Sequence, residues 1–194
     1  MKFIIIPALA LLIVSCKNNE SSTQTGTTDS ITVKKDSTAN IDPSDLQQIK
    51  TELENLTPMS EQELSALLPS DLSGITGSEK VTSTGMGVLS VSAIYQKNDS
   101  TSIKVEIVDC AGPAGAGLFS VQYAGIDENL TGDDESTFKV TTFKGFKAIE
   151  SCLKTRPEDC TFTWFDGKRL LVFMEGKNSG LEQLKRSAVE LELQ

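Results

Sequence analysis

Oxygen-bearing side chains alternate along residues 127–135, and their spacing is that of a loop that binds calcium. Asp127, Asn129 and Thr131 stand at positions one, three and five of the calcium-loop pattern, and Asp133 adds a further oxygen ligand. Position six is a glycine, as the tight turn requires, but position twelve is Phe138, where a bidentate carboxylate is expected. Because the strongest ligand of the pattern is missing, we expect a solvated acidic loop, and a weak calcium site is the alternative.

The residues that many enzymes use for acid–base and nucleophilic chemistry are scarce in this chain. Among its 194 residues there is no histidine, which excludes His-dependent triads, imidazole bases and imidazole metal ligands. The 27 acidic residues leave a carboxylate-based hydrolase as a less favoured alternative. With only 18 basic residues and a formal charge of −9, the chain lacks the basic face that nucleic acid requires. We therefore expect no catalytic residue, no nucleic-acid partner and no cofactor, with a weakly bound calcium ion as the alternative.

Three cysteines lie in the second half of the chain. Cys152 ends one predicted strand and Cys160 begins the next, so their Cα atoms come within bonding range if the two strands are neighbours. Since an exported domain meets an oxidising compartment, we expect a Cys152–Cys160 disulfide, and three reduced, buried thiols are the alternative. Cys110 lies near a predicted helix start, but no imidazole exists to act as its base, so we expect a small buried residue there.

The N-terminus carries a targeting segment. Lys2 precedes an apolar run over residues 3–14, whose 12 residues span about 18 Å as a helix, too short for a hydrocarbon core of about 30 Å. The end of this run, Ile13-Val14-Ser15-Cys16, resembles the lipobox of bacterial lipoproteins. The resemblance implies that residues 1–15 are removed as a signal peptide and that Cys16 is acylated and anchors the chain to a membrane. The alternative is an ordinary secretory signal with an incidental cysteine.

The residues after Cys16 predict the location and a linker. Lys17 stands where an aspartate would signal inner-membrane retention in enterobacteria, so the lipoprotein resemblance implies the outer membrane, on its periplasmic or surface face. The Ser/Thr-rich segment that follows has too few apolar residues to form a core, and we expect residues 16–40 to be the lipidated cysteine and a flexible stalk. A single domain is expected over residues 41–194.

The pattern of apolar residues predicts the elements of this domain. Two helices are expected first, one beginning at Asp42-Pro43 and one at the Ser60/Glu63 capping box. Alternating apolar residues then predict three strands, of which the last two form a hairpin that turns at Asn98-Asp99-Ser100. A loop over residues 110–115 leads into a helix through Tyr123. Four more strands follow as two hairpins, which turn at Lys144-Gly145 and Asp166-Gly167, and residues 179–191 form a last helix. The prediction is an α+β domain with a mainly antiparallel sheet of six to seven strands and helices packed on it.

This order of elements over residues 60–194 resembles the PsbP-like α/β/α sandwich of several bacterial lipoproteins, a functionally diverse group that implies no activity by itself. From the lipobox and the lack of catalytic motifs we expect a membrane-anchored envelope lipoprotein that acts as a non-catalytic binding or accessory module. Its expected partners are the membrane, reached through the lipid, and an envelope protein. A small-ligand or weak calcium-binding domain is the alternative.

Overall fold

The computed structural model of the protein describes residues 43–191 and residue 193. The signal peptide, Cys16, the stalk and the predicted helix cap Asp42 lie outside the described residues. The described helices are α1 (Pro43–Asn55), α2 (Glu61–Ala66), α3 (Gly112–Phe119), a π-helical turn (Ser120–Ala124) and α4 (Gly180–Glu190). The strands are β1 (Asp71–Leu72), β2 (Ile75–Thr76), β3 (Val81–Gly85), β4 (Val88–Asn98), β5 (Thr101–Asp109), β6 (Ser136–Phe143), β7 (Phe146–Leu153), β8 (Cys160–Phe165) and β9 (Leu170–Lys177).

Seven of the strands form one antiparallel sheet in the order β3-β4-β5-β9-β8-β7-β6. The predicted α+β class and antiparallel sheet are therefore confirmed. Strand β9 lies in the middle, as its apolar run over residues 170–174 predicts for a strand covered on both faces. The small β1–β2 hairpin forms a separate two-stranded sheet that the sequence analysis did not predict.

Each face of the sheet carries its own core. The first face presents Val105, Trp164 and Val172 to α2, α4 and the β1–β2 hairpin. The second face presents Val108 and Leu171, among others, to α1, α3 and the π-helical turn. Trp164, the only tryptophan of the chain, is completely enclosed in the first core.

Two local predictions need correction. Helix α3 begins at Gly112 and not after Gly115, so the predicted loop over residues 110–115 shrinks to two residues; Pro113 in the first turn and the left-handed Gly112 (φ 77°) explain the early start. The Asp166-Gly167 turn was predicted as a two-residue hairpin turn, but four residues connect β8 and β9. There the Asp166 carboxylate accepts three consecutive backbone N–H groups, from residues 168 to 170.

Candidate functional site

The second face of the sheet is only half covered by helices. Near one end of the strands, Val108 and Leu171 lie under α1 and α3. Further along the same strands two rows of side chains remain accessible, because no described helix reaches them. The register places one row as Glu106–Phe173–Thr163 and the next as Lys104–Glu175–Thr161. We call these six residues the open face.

The open face forms a shallow groove with an apolar centre. Its volume is about 310 Å³, and half-buried Phe173 lies between the hydroxyl and charged side chains of the two rows. A second depression of similar size shares Thr161 and Glu175 and extends to Arg156, Asp159 and Lys177. An aromatic centre with a polar rim is the usual arrangement of a surface that binds another molecule.

The charges around this groove balance, although the chain as a whole is acidic. Lys104, Arg156 and Lys177 oppose Glu106, Asp159 and Glu175, which gives a local sum of zero against −9 for the chain. The Lys104 and Glu106 side chains are 3.6 Å apart, and those of Arg156 and Asp159 are 3.1 Å apart. The Lys104–Glu106 pair is accessible and contributes at most about 1 kcal/mol to stability, so its charged groups stay free to exchange partners. The Asp159 side chain is only 13% exposed and also accepts from the backbone N–H of Asn178.

The buried carboxylates of the described chain are paired and lie away from the open face. Asp109 accepts hydrogen bonds from Arg169 Nε (2.9 Å) and Nη2 (2.8 Å) and from the backbone N–H groups of Met59 (2.7 Å) and Ala111 (3.1 Å). Because Arg169 also donates to the carbonyl of Thr57, this pair ties the α1–α2 connection to the end of the sheet. Its role is structural.

The second buried carboxylate, Glu150, lies on the first face, where the Lys185 ammonium is 2.8 Å from its Oε1. Hydrogen bonding to Glu150 raises the pKa of Lys185. Each buried acid thus has its own cation, and neither is arranged as the second member of an acid–base carboxylate pair.

The cysteines lie where two predictions placed them. Cys152 and Cys160 are directly opposite each other on β7 and β8, with Cα atoms 4.0 Å apart and sulfur atoms at bonding distance. Cys110 is free and fully buried, as expected, and burial raises the pKa of its thiol to about 12. A neutral, enclosed thiol has neither the thiolate character nor the access that a nucleophile needs.

The predicted calcium ligands lie in one loop, but their side chains serve local turns. Asp127 Oδ1 accepts from the backbone and side-chain amides of Asn129, at 2.9 and 3.0 Å. Asp133 Oδ1 accepts from backbone N–H groups and the hydroxyl of Ser136, and these bonds lower the pKa of Asp133. The Lys154 ammonium donates to the carbonyl of Asp133, which places a positive charge on the loop.

Thr131 lies in the same loop and is exposed. Over the residues that the structure describes, no group of three or more acidic or cysteine side chains is placed to hold a metal ion. Calcium binding stays the untested alternative to a solvated acidic loop.

No protein-family model, no curated protein and no solved structure matches this chain. None of the helices in the described part is long and apolar enough to cross a membrane. The sequence analysis missed the open face, although its signal was present: Lys104 and Glu106 alternate with apolar residues on β5, and Thr161 and Thr163 do the same on β8.

Proposed function

We propose that the protein is a lipid-anchored, non-catalytic binding module of the cell envelope, and that its open face holds a protein partner. The observation that carries this proposal is the half-covered second face: a sheet whose first face is covered by three elements leaves six side chains of its second face in water.

The chemistry of the open face favours a polypeptide. Phe173 offers an apolar anchor, Thr161 and Thr163 offer hydroxyl groups to a peptide backbone, and the balanced charges accept partner side chains of either sign. A nucleic acid or another polyanion would need a net positive surface, which these residues do not provide. The shallow shape is also unlike the enclosed pockets that bind most small ligands.

The anchor is the second part of the proposal. The lipobox resemblance at Ile13-Val14-Ser15-Cys16 supports lipidation of Cys16, and Lys17 supports the outer membrane as destination. We expect Cys16→Ala to move the protein from the membrane fraction to the soluble fraction of host cells. Intact-mass measurement of the wild-type protein should show loss of residues 1–15 and addition of acyl chains. Unchanged membrane partition of Cys16→Ala would contradict the anchor.

The open face is tested with a photoreactive residue at position 163 in the full chain, expressed in its host. We expect one crosslinked adduct of defined mass from position 163, and none from the same residue at Thr51, on the exposed side of α1. Thr161→Arg should abolish the adduct because a long cation fills the groove. Thr51→Arg adds the same charge elsewhere and should leave the adduct in place. Equal crosslinking from positions 163 and 51 would rule out a specific partner on this face.

A further inference from the structure

A second exposed surface has the opposite character from the open face, because it contains no charge. It consists of Met86, Val88, Ala114, Gly117, Leu118 and Val121, which with Gln122 line a depression of about 240 Å³, and Val88 is the buried member at 7% exposure. We call these six residues the apolar patch. Met86 is 90% exposed and Val121 is 75% exposed, the two largest values among the exposed large hydrophobic residues of the described chain. Side chains of this kind, grouped together in water, mark a surface that contacts something apolar.

The element behind the patch carries no charge on its exposed side either. No charged residue occurs between Asp109 and Asp127, in a chain of which 23% is charged. This segment forms α3 and the π-helical turn, and its accessible side chains include Ala114 and Val121. A helix that is apolar all round is normally buried, so the exposed side of this one lacks a covering layer.

Met86 is held at the tip of a hairpin. With Gly87 it forms the turn between β3 and β4, and both residues have positive φ, 52° and 78°. Such turns favour Asn, Asp or Gly at the first position. Here the position carries a long apolar side chain that projects from the sheet next to α3, since Gly87 faces Ala114.

We propose that the apolar patch contacts the lipid bilayer to which the protein is anchored. This inference rests on the proposed lipidation of Cys16. The chain between Cys16 and Pro43 has 26 residues, and a linker of the predicted Ser/Thr-rich kind spans roughly 28 Å on average. The anchored domain therefore remains within reach of the bilayer at all times.

The lack of charge on the patch and its small size favour a bilayer over other binding partners. The acidic domain is repelled by anionic lipid head groups, so an uncharged surface is the one that approaches them with the least repulsion. A second copy of the chain is a poor occupant, because the six residues of the patch, one of them a glycine, are far fewer than the roughly 20–30 residues per partner of a stable protein interface. A bilayer takes up a few apolar side chains without needing a complementary surface.

The chain offers a clean way to label the patch. Cys110 is fully buried, Cys152 and Cys160 are at disulfide distance, and Cys16 is acylated under the proposal, so a new surface cysteine is the only reactive thiol. Met86→Cys, and in a second protein Val121→Cys, would carry a polarity-sensitive dye. The matched control is Lys97→Cys, at the other end of β4, about 30 Å from Val88 along the strand.

The labelled mature proteins are reconstituted at low density in phosphatidylcholine vesicles and purified by flotation. We expect the emission of dyes at positions 86 and 121 to shift to shorter wavelength and to be quenched by brominated lipid, while the dye at position 97 stays unchanged. Flotation without a shift at 86 and 121 overturns this proposal and leaves the anchor intact. Failure to float overturns the anchor and this proposal with it. A shift at all three positions, or one that disappears when the protein is diluted in lipid and so reports a second copy, also overturns it.

Discussion

At the scale of single residues, Arg169 should be important for stability, because its side chain pairs with a buried carboxylate. It supplies two of the four hydrogen bonds to the Asp109 carboxylate, which is 2% exposed. Because Arg169→Ala leaves that charge buried without its cation, we expect the free energy of unfolding in urea to fall by about 3–5 kcal/mol. Lys168→Ala removes an exposed cation next to it and should change the value by less than about 0.5 kcal/mol. Equal effects of the two substitutions on the free energy of unfolding would contradict a stabilising role for the Asp109–Arg169 pair.

Lys147 predicts a specific pH dependence of stability. Its side chain is 3% exposed, with the ammonium 3.4 and 3.3 Å from the carbonyls of Ala124 and Ile126. Burial lowers the pKa of this ammonium below its usual 10.5, and Glu128 offsets the shift in part. Between the lowered pKa and 10.5 the unfolded chain binds more protons than the folded chain, so folding becomes more favourable as the pH rises.

The measurement is urea denaturation of wild type and Lys147→Met at several pH values. The wild-type free energy of unfolding, minus that of the variant, should increase as the pH rises from the lowered pKa of Lys147 toward 10.5, since all other titrating groups cancel in the difference. Below the lowered pKa the difference should be constant. Parallel stability curves over the whole range would mean that the Lys147 pKa is not lowered.

At the scale of elements, two glycines of α3 give opposite predictions for the same substitution. A methyl group at Gly115 would overlap the backbone of Cys110, whereas one at Gly117 would meet nothing within 4 Å. Gly115→Ala should therefore lower the free energy of unfolding by about 1–3 kcal/mol, since α3 has to move away from β5. Gly117→Ala should raise it by up to about 1 kcal/mol through helix propensity. Thermal or urea unfolding that ranks the two variants the other way would contradict this packing.

The loop over residues 127–135 makes a prediction about calcium. Asp127 and Asp133 already accept hydrogen bonds within their own turns, and the Lys154 ammonium bonds to the carbonyl of Asp133. We expect about 10 mM calcium to leave the melting temperature unchanged, because binding would have to break these contacts. Lys154→Met removes the positive charge that competes with calcium for this loop. Weak calcium binding should therefore raise the melting temperature of this variant at a lower calcium concentration than that of the wild type. A rise of the wild-type melting temperature that saturates with calcium would instead establish the site.

The sequence predicted the elements that depend on local patterns. The Ser60/Glu63 capping box forms at the start of α2, and the hairpins around Asn98 and Lys144 have the expected partners. The Cys152–Cys160 pair followed from the same reasoning, because two strands joined by a short connection are usually neighbours.

Features that depend on distant residues could not be predicted in this way. Asp109 and Arg169 are 60 positions apart, and nothing in either segment identifies the other. The residues of the open face are those that α1 and α3 leave uncovered on the second face. How far these helices extend depends on how they pack on the sheet, and the spacing of apolar residues within one element does not reveal it. The π-helical turn after α3 likewise has no signal in its sequence.

At the scale of the whole molecule, the state of the four cysteines tests the anchor and the fold together. In the mature protein we expect Cys16 to have no thiol, Cys152 and Cys160 to be oxidised, and Cys110 to be a buried, protonated thiol with a pKa of about 12. A maleimide should therefore label no cysteine in the native protein. After unfolding without reductant it should label one cysteine, and after unfolding with reductant it should label three of the four.

Each departure from these counts has a separate meaning. One extra thiol after unfolding, both with and without reductant, would show that Cys16 is not acylated. Three thiols without reductant would show that Cys152 and Cys160 are reduced in the native envelope. If the disulfide is present, Cys152→Ser/Cys160→Ser should lower the free energy of unfolding by about 2.5 kcal/mol, the chain-entropy value for a separation of 8 residues. Cys110→Ser gives the control for the remaining label, because it should remove the single thiol exposed by unfolding and leave the disulfide untouched.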